Sequence, residues 1–335
     1  MLKFIIDRVS KGFGGRSNTG AAADSARRKK HDYQPIRIIG GGAQGTVQEC
    51  VHLPTGRRVA LKSVKRRAVS GAVAAYSTAA GVLEAWEREV AILKMVKGHP
   101  NVSELLEAFE GKNTLYISLE LARGGELNHK IYKQGPLDET EAAHLAATLC
   151  NAVAFLHALG IVHRDIRMRN ILLKDTTPGS TVVLVDFGIA NVLAVGSEPL
   201  STQIGAPLHS APEIWDGQGY GTASDCFSLG CVVHELLTGA VPTWINNNKA
   251  RQLSLSHPRW STLSSEAKSF VSSLLRLSPI TRMTAEQALE HDWIRKNVPA
   301  WELKRLRELN DKAIERSSTF LEANKLELSS PPAYS

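Results

Sequence analysis

The chain has 335 residues, of which 43% are hydrophobic and 22% charged, with a net charge of +7; that excludes a disordered or fibrous class and is long enough for a large core in two lobes. No apolar run approaches the roughly 18 residues that span a bilayer. Cys50, Cys150, Cys226 and Cys231 lack the spacing of a zinc site or disulfide framework, and the scattered basic excess has no interleaved aromatics, which argues against direct nucleic-acid binding.

Residues 1–32 read as a flexible basic arm, rich in Gly, Ala and Ser, with little periodicity after Val9. Leu2 to Ile6 is apolar but too short for a signal-peptide core, and Asp7 follows directly. Arg27-Arg28-Lys29-Lys30 reads as a solvated linker in preference to a nuclear-localisation patch. Order is expected from Tyr33. Ile36, Ile38 and Val47 fall in short strands around a glycine cluster, and Val59 to Val64 alternates as another strand. From about 71 to 96 the spacing of Leu83, Trp86, Val90 and Leu93 is helical, and Gly98 and Pro100 end it. Strands follow at 104–110 and 114–120, then helices at 139–159, 223–238, 265–276, 284–296 and 299–325. The expected fold class is α+β: a small β-rich N-lobe over 33–121, a larger mainly helical C-lobe over 124–296, and a helical, proline-containing tail over 297–335.

Gly40-Gly41-Gly42-Ala43-Gln44-Gly45-Thr46-Val47 is a glycine-rich turn that lets backbone N–H groups approach phosphate oxygens without Cβ clashes. A dinucleotide fingerprint would need a helix next, and the following text is strand-like. Lys62, in Val59-Ala60-Leu61-Lys62, would reach the α- and β-phosphates, and Glu84, Glu87 and Glu89 are candidate acids to hold it. His163-Arg164-Asp165 with Asn170 five residues later supplies a carboxylate to orient and accept a hydroxyl proton, and an amide oxygen for a metal. Asp186-Phe187-Gly188, after the apolar run Val182 to Val185, adds a carboxylate suited to Mg²⁺. Glu213 of Ala211-Pro212-Glu213 needs a buried cation, and Arg282 is the obvious one.

These motifs, in this order over about 33–296, resemble the protein kinase family, and Gly124-Gly125-Glu126-Leu127, His257-Pro258-Arg259-Trp260 and Ala288 to Trp293 resemble its calmodulin-dependent-kinase group. The resemblance implies a bilobal kinase fold and ATP-dependent transfer to Ser or Thr of a protein substrate, with Asp165 as base and Mg²⁺ held by Asn170 and Asp186. The spacing from Glu89 to His99-Pro100-Asn101 selects Glu89 as the partner of Lys62, with Glu87 next. Gly40, Gly42 and Gly45 would cover the phosphates. Val47, Ala60 and Leu172 would sandwich adenine, Leu119 would be the gatekeeper, Glu120 and Ala122 would offer backbone groups, and Glu126 would lie near the ribose. Leu93, His163 and Phe187 would stack as a spine, and Asp225 would hold the catalytic-loop backbone. A kinase of this kind is expected in the cytoplasm, the nucleus or both.

The chain departs from the family at Arg167, where serine/threonine kinases have a γ-phosphate-contacting lysine, and at Ala206, where they have a threonine. Those two positions motivate the alternatives of a pseudokinase scaffold or a dual-specificity kinase. Arg169 removes an acidic residue that receives a substrate arginine in basophilic relatives, so acidic or primed substrates are expected. Thr202, nine residues before Ala211, is the candidate activating phosphosite, with Ser197 and Ser201 equally available. Trp301, Leu303, Leu306, Leu309 and Ile314 form an apolar stripe, but interspersed Glu302, Glu308, Asp311 and Glu315 argue against calmodulin. Pro331-Pro332-Ala333-Tyr334 fits the PPxY ligand of WW domains.

Overall fold

The computed structural model describes residues 29–42, 45–67, 78–177, 179–193, 198–217, 219–247 and 250–323. The readings above for Leu2 to Val9, Arg27, Arg28, Ala43, Gln44, Ser197 and the Pro331–Tyr334 motif lie outside the described residues. The chain divides into two units: one of residues 1–98, 103–121 and 319–327, the other of 99–102, 122–318 and 328–335.

The first unit is built on a five-stranded antiparallel sheet. Its strands are β1 (Tyr33–Gly42), β2 (Gly45–His52), β3 (Arg57–Lys65), β4 (Leu105–Glu110) and β5 (Thr114–Glu120), in the order β1-β2-β3-β5-β4. Residues directly paired across an antiparallel ladder share a face. One face therefore carries the buried cluster of Tyr33, Cys50, Val59, Leu61, Phe109 and Tyr116. The other carries Val47 opposite Lys62, Lys62 opposite Ile117, and Ala60 opposite both Glu49 and Leu119. Helix α1 (Ala79–Met95) starts where the Thr78 side chain accepts from the Gly81 N–H at 3.0 Å. Its buried Val82, Ala85, Trp86, Glu89, Val90 and Leu93 recur at helical spacing. The 71–96 helix is described from Ala79 onward, since residues 68–77 lie outside the described set.

The second unit is mainly helical. Short strands β6 (Gly125–Glu126), β7 (Ile161–Val162), β8 (Ile171–Leu173), β9 (Val182–Leu184) and β10 (Asn191–Val192) frame its chemistry, with sheet orders β6-β8-β9 and β10-β7. The helices are α2 (Leu127–Gln134), α3 (Glu139–Ala158), α4 (Pro212–Trp215), α5 (Ala223–Thr238), α6 (Pro258–Thr262), α7 (Ser265–Leu274), α8 (Ala285–Leu289), α9 (Asp292–Asn297) and α10 (Ala300–Ala323), the last of which ends in the first unit. α3 and α5 are buried along almost their whole length and form the core. No helix among the described residues is long and apolar enough to cross a membrane.

Two readings of this half need correction. The expected helix 284–296 is two helices, because His291 stops the first and caps the second, its Nδ1 accepting from the Trp293 N–H at 3.2 Å. The stretch after α5 also holds a hairpin, β11 (Thr243–Asn247) paired with β12 (Ala250–Ser254), that the mostly helical reading passed over. Its signal is only a β-branched and aromatic run, Thr243-Trp244-Ile245, too short to register as a period.

Candidate active site

In the first unit the glycine-rich hairpin turns between β1 and β2, with Gly42 opposite Gly45. Gly45 is demanded by the fold: its φ is +118°, and a Cβ there would sit 2.4 Å from the Ser63 carbonyl oxygen. A Cβ on Gly42 would meet nothing within 4 Å, and on Gly40 only Val47 at 3.6 Å, so the chain's own packing does not require glycine at either. Lys62 points from β3 toward α1, where its Nζ donates to Glu89 Oε1 at 2.7 Å, and both side chains are buried. Of the other two acids considered for this role, Glu84 pairs with Arg88 on the surface.

One charged group on this face escaped the sequence reading. Glu49 is fully buried beside Ala60, held by Arg37 at 2.8 Å and by Arg58. Burial alone would raise its carboxyl; hydrogen bonds from the two guanidiniums outweigh that and hold it below the usual carboxylate range. Nothing in its local sequence marks it, because the pairing that makes the site is between strands.

In the second unit the loop that carries His163-Arg164-Asp165 runs from β7 to β8. Asp225, at the start of α5, accepts from the backbone N–H of His163 at 2.8 Å and of Arg164 at 2.9 Å, which fixes the loop's entry. His157 Nε2 reaches the same carboxylate at 3.1 Å. Burial by itself would depress His157, but the bonds to Asp225 and Cys226 raise it to about 9. Burial likewise works to raise Asp225, and the His157 contact prevails and lowers it. Arg164 has a left-handed φ of 69°, and its Nη1 donates to the Tyr220 hydroxyl at 3.3 Å; that hydroxyl donates to the Thr202 carbonyl at 2.8 Å. Gly205 approaches the same loop so closely that a Cβ would lie 2.7 Å from the Arg164 carbonyl.

Asp165 is buried, with a hydrogen bond on one carboxylate oxygen and an ion-pair contact at the other. Oδ2 accepts from Asn170 Nδ2 at 2.7 Å, and Oδ1 lies 3.2 Å from Arg167 Nε. Asn170 also donates to the Asp165 carbonyl at 2.8 Å, so its amide oxygen faces the other way. The Asn170 carbonyl accepts from the Val185 N–H at 2.9 Å, which ties it to the residue before Asp186. Asp186 itself has φ 67°, a strained value for a residue with a side chain. An amide oxygen and a carboxylate are the hard donors that Mg²⁺ prefers. Among the described residues no group of three His, Cys, Asp or Glu could hold a metal, so such an ion would take its remaining ligands from phosphate or water.

The neighbouring residues sort as follows. His163 and Phe187 meet edge-on with ring centroids 4.8 Å apart. Leu172 pairs with Glu126 of β6 and Val183 of β9. Ala122 lies between β5 and β6, while Leu119 and Glu120 close β5 in the other unit. Arg282 clasps Glu213 with both terminal nitrogens, at 2.5 and 3.0 Å, deep in the protein. Arg169 is exposed, whereas His209 Nε2 reaches Glu235 Oε2 at 3.3 Å, a pair the sequence did not signal.

A family model described as protein kinase domain matches residues 33–294. This chain belongs to the protein kinase family. The kinase is 33% identical over 302 residues to a calcium/calmodulin-dependent protein kinase type I of Schizosaccharomyces pombe, covering 85% of this chain and 87% of that one. It is 34% identical over 272 residues to a calcium/calmodulin-dependent protein kinase of Emericella nidulans, covering 78% of this chain and 65% of that protein, slightly under two thirds of its length. A probable myosin light chain kinase of Dictyostelium discoideum is 34% identical over 295 residues, covering 86% and 72%. Its β-rich and helical units suit the bilobal α+β kinase fold, and its relatives are those of the calmodulin-dependent-kinase group. As a family member it is a transferase, and ATP binding goes with the family.

Proposed function

We propose that this kinase transfers the γ-phosphate of ATP to serine or threonine of protein substrates, with Asp165 as base. The observation that carries the reading is the hold on Asp165: Asn170 donates to Oδ2, and the Arg167 guanidinium lies within ion-pair range of Oδ1. A carboxylate fixed in this way is oriented in advance to accept a hydroxyl proton, and such positioning supplies much of the catalysis of phosphoryl transfer. Lys62, steadied by Glu89, would bind the α- and β-phosphates. Gly40, Gly42 and Gly45 would cover them, and Val47, Ala60, Leu119, Glu120, Ala122, Glu126 and Leu172 would receive the nucleoside. Asn170 and Asp186 would hold Mg²⁺, which when bound offsets charge on the phosphate oxygens. Arg167 would supply the cation toward the γ-phosphate that a lysine supplies in other serine/threonine kinases.

The exposed Arg169 supports acidic or primed substrates, since it stands where basophilic relatives carry an acidic residue that receives a substrate arginine. A peptide array dominated by arginine upstream of the target would contradict this. Thr202 is the proposed activating phosphosite, because its carbonyl is linked through Tyr220 to Arg164. Thr202→Ala with undiminished activity would remove it. The tail motif Pro331–Tyr334 is proposed as a WW-domain ligand, and no binding to a WW panel would count against that. Calmodulin is not proposed as a partner, because the apolar Leu303 and Leu306 of α10 are buried. Cytoplasm and nucleus both suit these roles.

The contact of Arg167 with the base also favours a second reading, in which the guanidinium blocks the hydroxyl and the chain is a pseudokinase. Incubation with labelled ATP and Mg²⁺, with Asp186→Ala as control and identification of the labelled residue, separates them. Asp186-dependent phosphoserine or phosphothreonine supports the proposal; no dependent label supports the pseudokinase, and phosphotyrosine a dual-specificity enzyme.

A further inference from the structure

Helix α10 is tied to the strand that leads into Asp186 by an unbroken run of hydrogen bonds within the second unit. Asn310, in the middle of α10, donates through Nδ2 to the Asn151 carbonyl of α3 at 3.1 Å, and its Oδ1 lies 2.9 Å from His99 Nε2. His99 is buried and stacked on Phe155, with ring centroids 4.6 Å apart. The Asn101 N–H donates to His99 Nδ1 at 3.2 Å, so a neutral ring keeps its proton on Nε2 and donates it to Asn310. Burial pulls His99 down to about 4, which keeps the ring neutral near pH 7. Asn101, also buried, donates its side-chain amide to the Val182 carbonyl at 2.7 Å and to Thr181 Oγ1 at 2.9 Å, and its own carbonyl accepts from the Leu184 N–H at 2.9 Å. Leu184 stands two residues before Asp186, and the next N–H, of Val185, goes to the Asn170 carbonyl.

We propose that Asn310 is a positioning residue: through His99 and Asn101 it sets β9, and with β9 the two oxygen donors Asp186 and Asn170. The helix after the kinase domain is thereby part of the metal-holding apparatus instead of a detachable appendage. Asn310 touches none of the reacting atoms and acts only through this relay. In its last step the inference rests on the assignment of Asn170 and Asp186 as metal ligands; the relay itself does not.

The test compares Asn310→Leu with Glu302→Ala in the full chain. Glu302 anchors the same helix to His144 at 3.0 Å without entering the relay. Asn310→Leu should speed amide hydrogen exchange at Leu184 about tenfold, while Glu302→Ala should not. Asn310→Leu should also raise the Mg²⁺ concentration for half-maximal transfer roughly tenfold, as loss of an outer-shell partner does. Asn310→Asp keeps the acceptor for His99 and should exchange at Leu184 like the parent. Should the leucine variant fail to fold, Asn310→Ala takes its place. Exchange is read without nucleotide, so it reports the relay whatever the activity; Asp186→Ala reports the transfer reading alone. Unchanged exchange at Leu184 in Asn310→Leu, or an equal rise in Glu302→Ala, overturns the proposal, as does a Mg²⁺ requirement that stays put while exchange rises.

Discussion

Around Asp165, the departures from the family pattern have a local geometry. Arg167 lies against Asp165 Oδ1, and Ala206 stands beside Gly205, which closely approaches the Arg164 carbonyl. A planar guanidinium offers direction as well as charge, so removal should cost more than screening of a point charge. Arg167→Met should lower kcat roughly 100-fold, with little change in KM for ATP, measured by steady-state kinetics. A loss confined to KM would place Arg167 in ground-state nucleotide binding instead. Asp165, Asn170 and Asp186 were visible in the sequence because the chain keeps them at short, fixed spacings. His157 and Asn310 were not, since each acquires its partner from a segment far away in sequence, and Glu49 was not, since Arg37 and Arg58 reach it only through the pairing of β2 with β1 and β3.

For the elements, capping residues and buried ion pairs decide what periodicity cannot. The helices 139–159 and 223–238 could be read closely because they are long and buried along their length. The break at His291 and the β11–β12 hairpin depend on one cap and one cross-strand register, neither of which leaves a period. Two buried pairs join elements outright. Glu89 links α1 to β3 through Lys62, and Glu213 at the start of α4 is clasped by Arg282. Removing one member of such a pair leaves a charge in the interior short of a partner. Arg282→Leu should therefore destabilise the protein by about 3–5 kcal/mol in urea unfolding. Glu89→Ala should cost on the order of 3 kcal/mol and also weaken ATP binding, as read by calorimetry. An Arg282→Leu protein as stable as the parent would show that Glu213 finds water instead.

Across the whole molecule, two histidines with opposite shifts contribute to the pH dependence of stability. His157, raised from 6.5 to about 9 by Asp225, binds its proton more tightly folded than unfolded. Its contribution is full below pH 6.5 and is lost as pH rises through 9. His99, lowered to about 4 by burial, resists charging in the folded state, so stability present above pH 6.5 is lost as pH falls toward 4. Unfolding free energy should then peak near neutrality and decline on both sides by a few kcal/mol. His157→Gln should flatten the alkaline limb only; a limb unchanged in that variant would assign it to other groups. The α+β class and the β-rich-then-helical order were legible from composition and periodicity. The run from α10 to β9 was not, since it passes through side-chain and main-chain groups of four separated segments.

The most direct test of the central claim is single-turnover phosphate transfer from ATP to a protein substrate by the parent and by Asp165→Asn, with ATP binding measured in parallel. The account predicts transfer to serine or threonine by the parent, and a loss of at least about 100-fold in Asp165→Asn with ATP affinity kept. Equal transfer by both proteins, or ATP binding without any transfer by the parent, would contradict it.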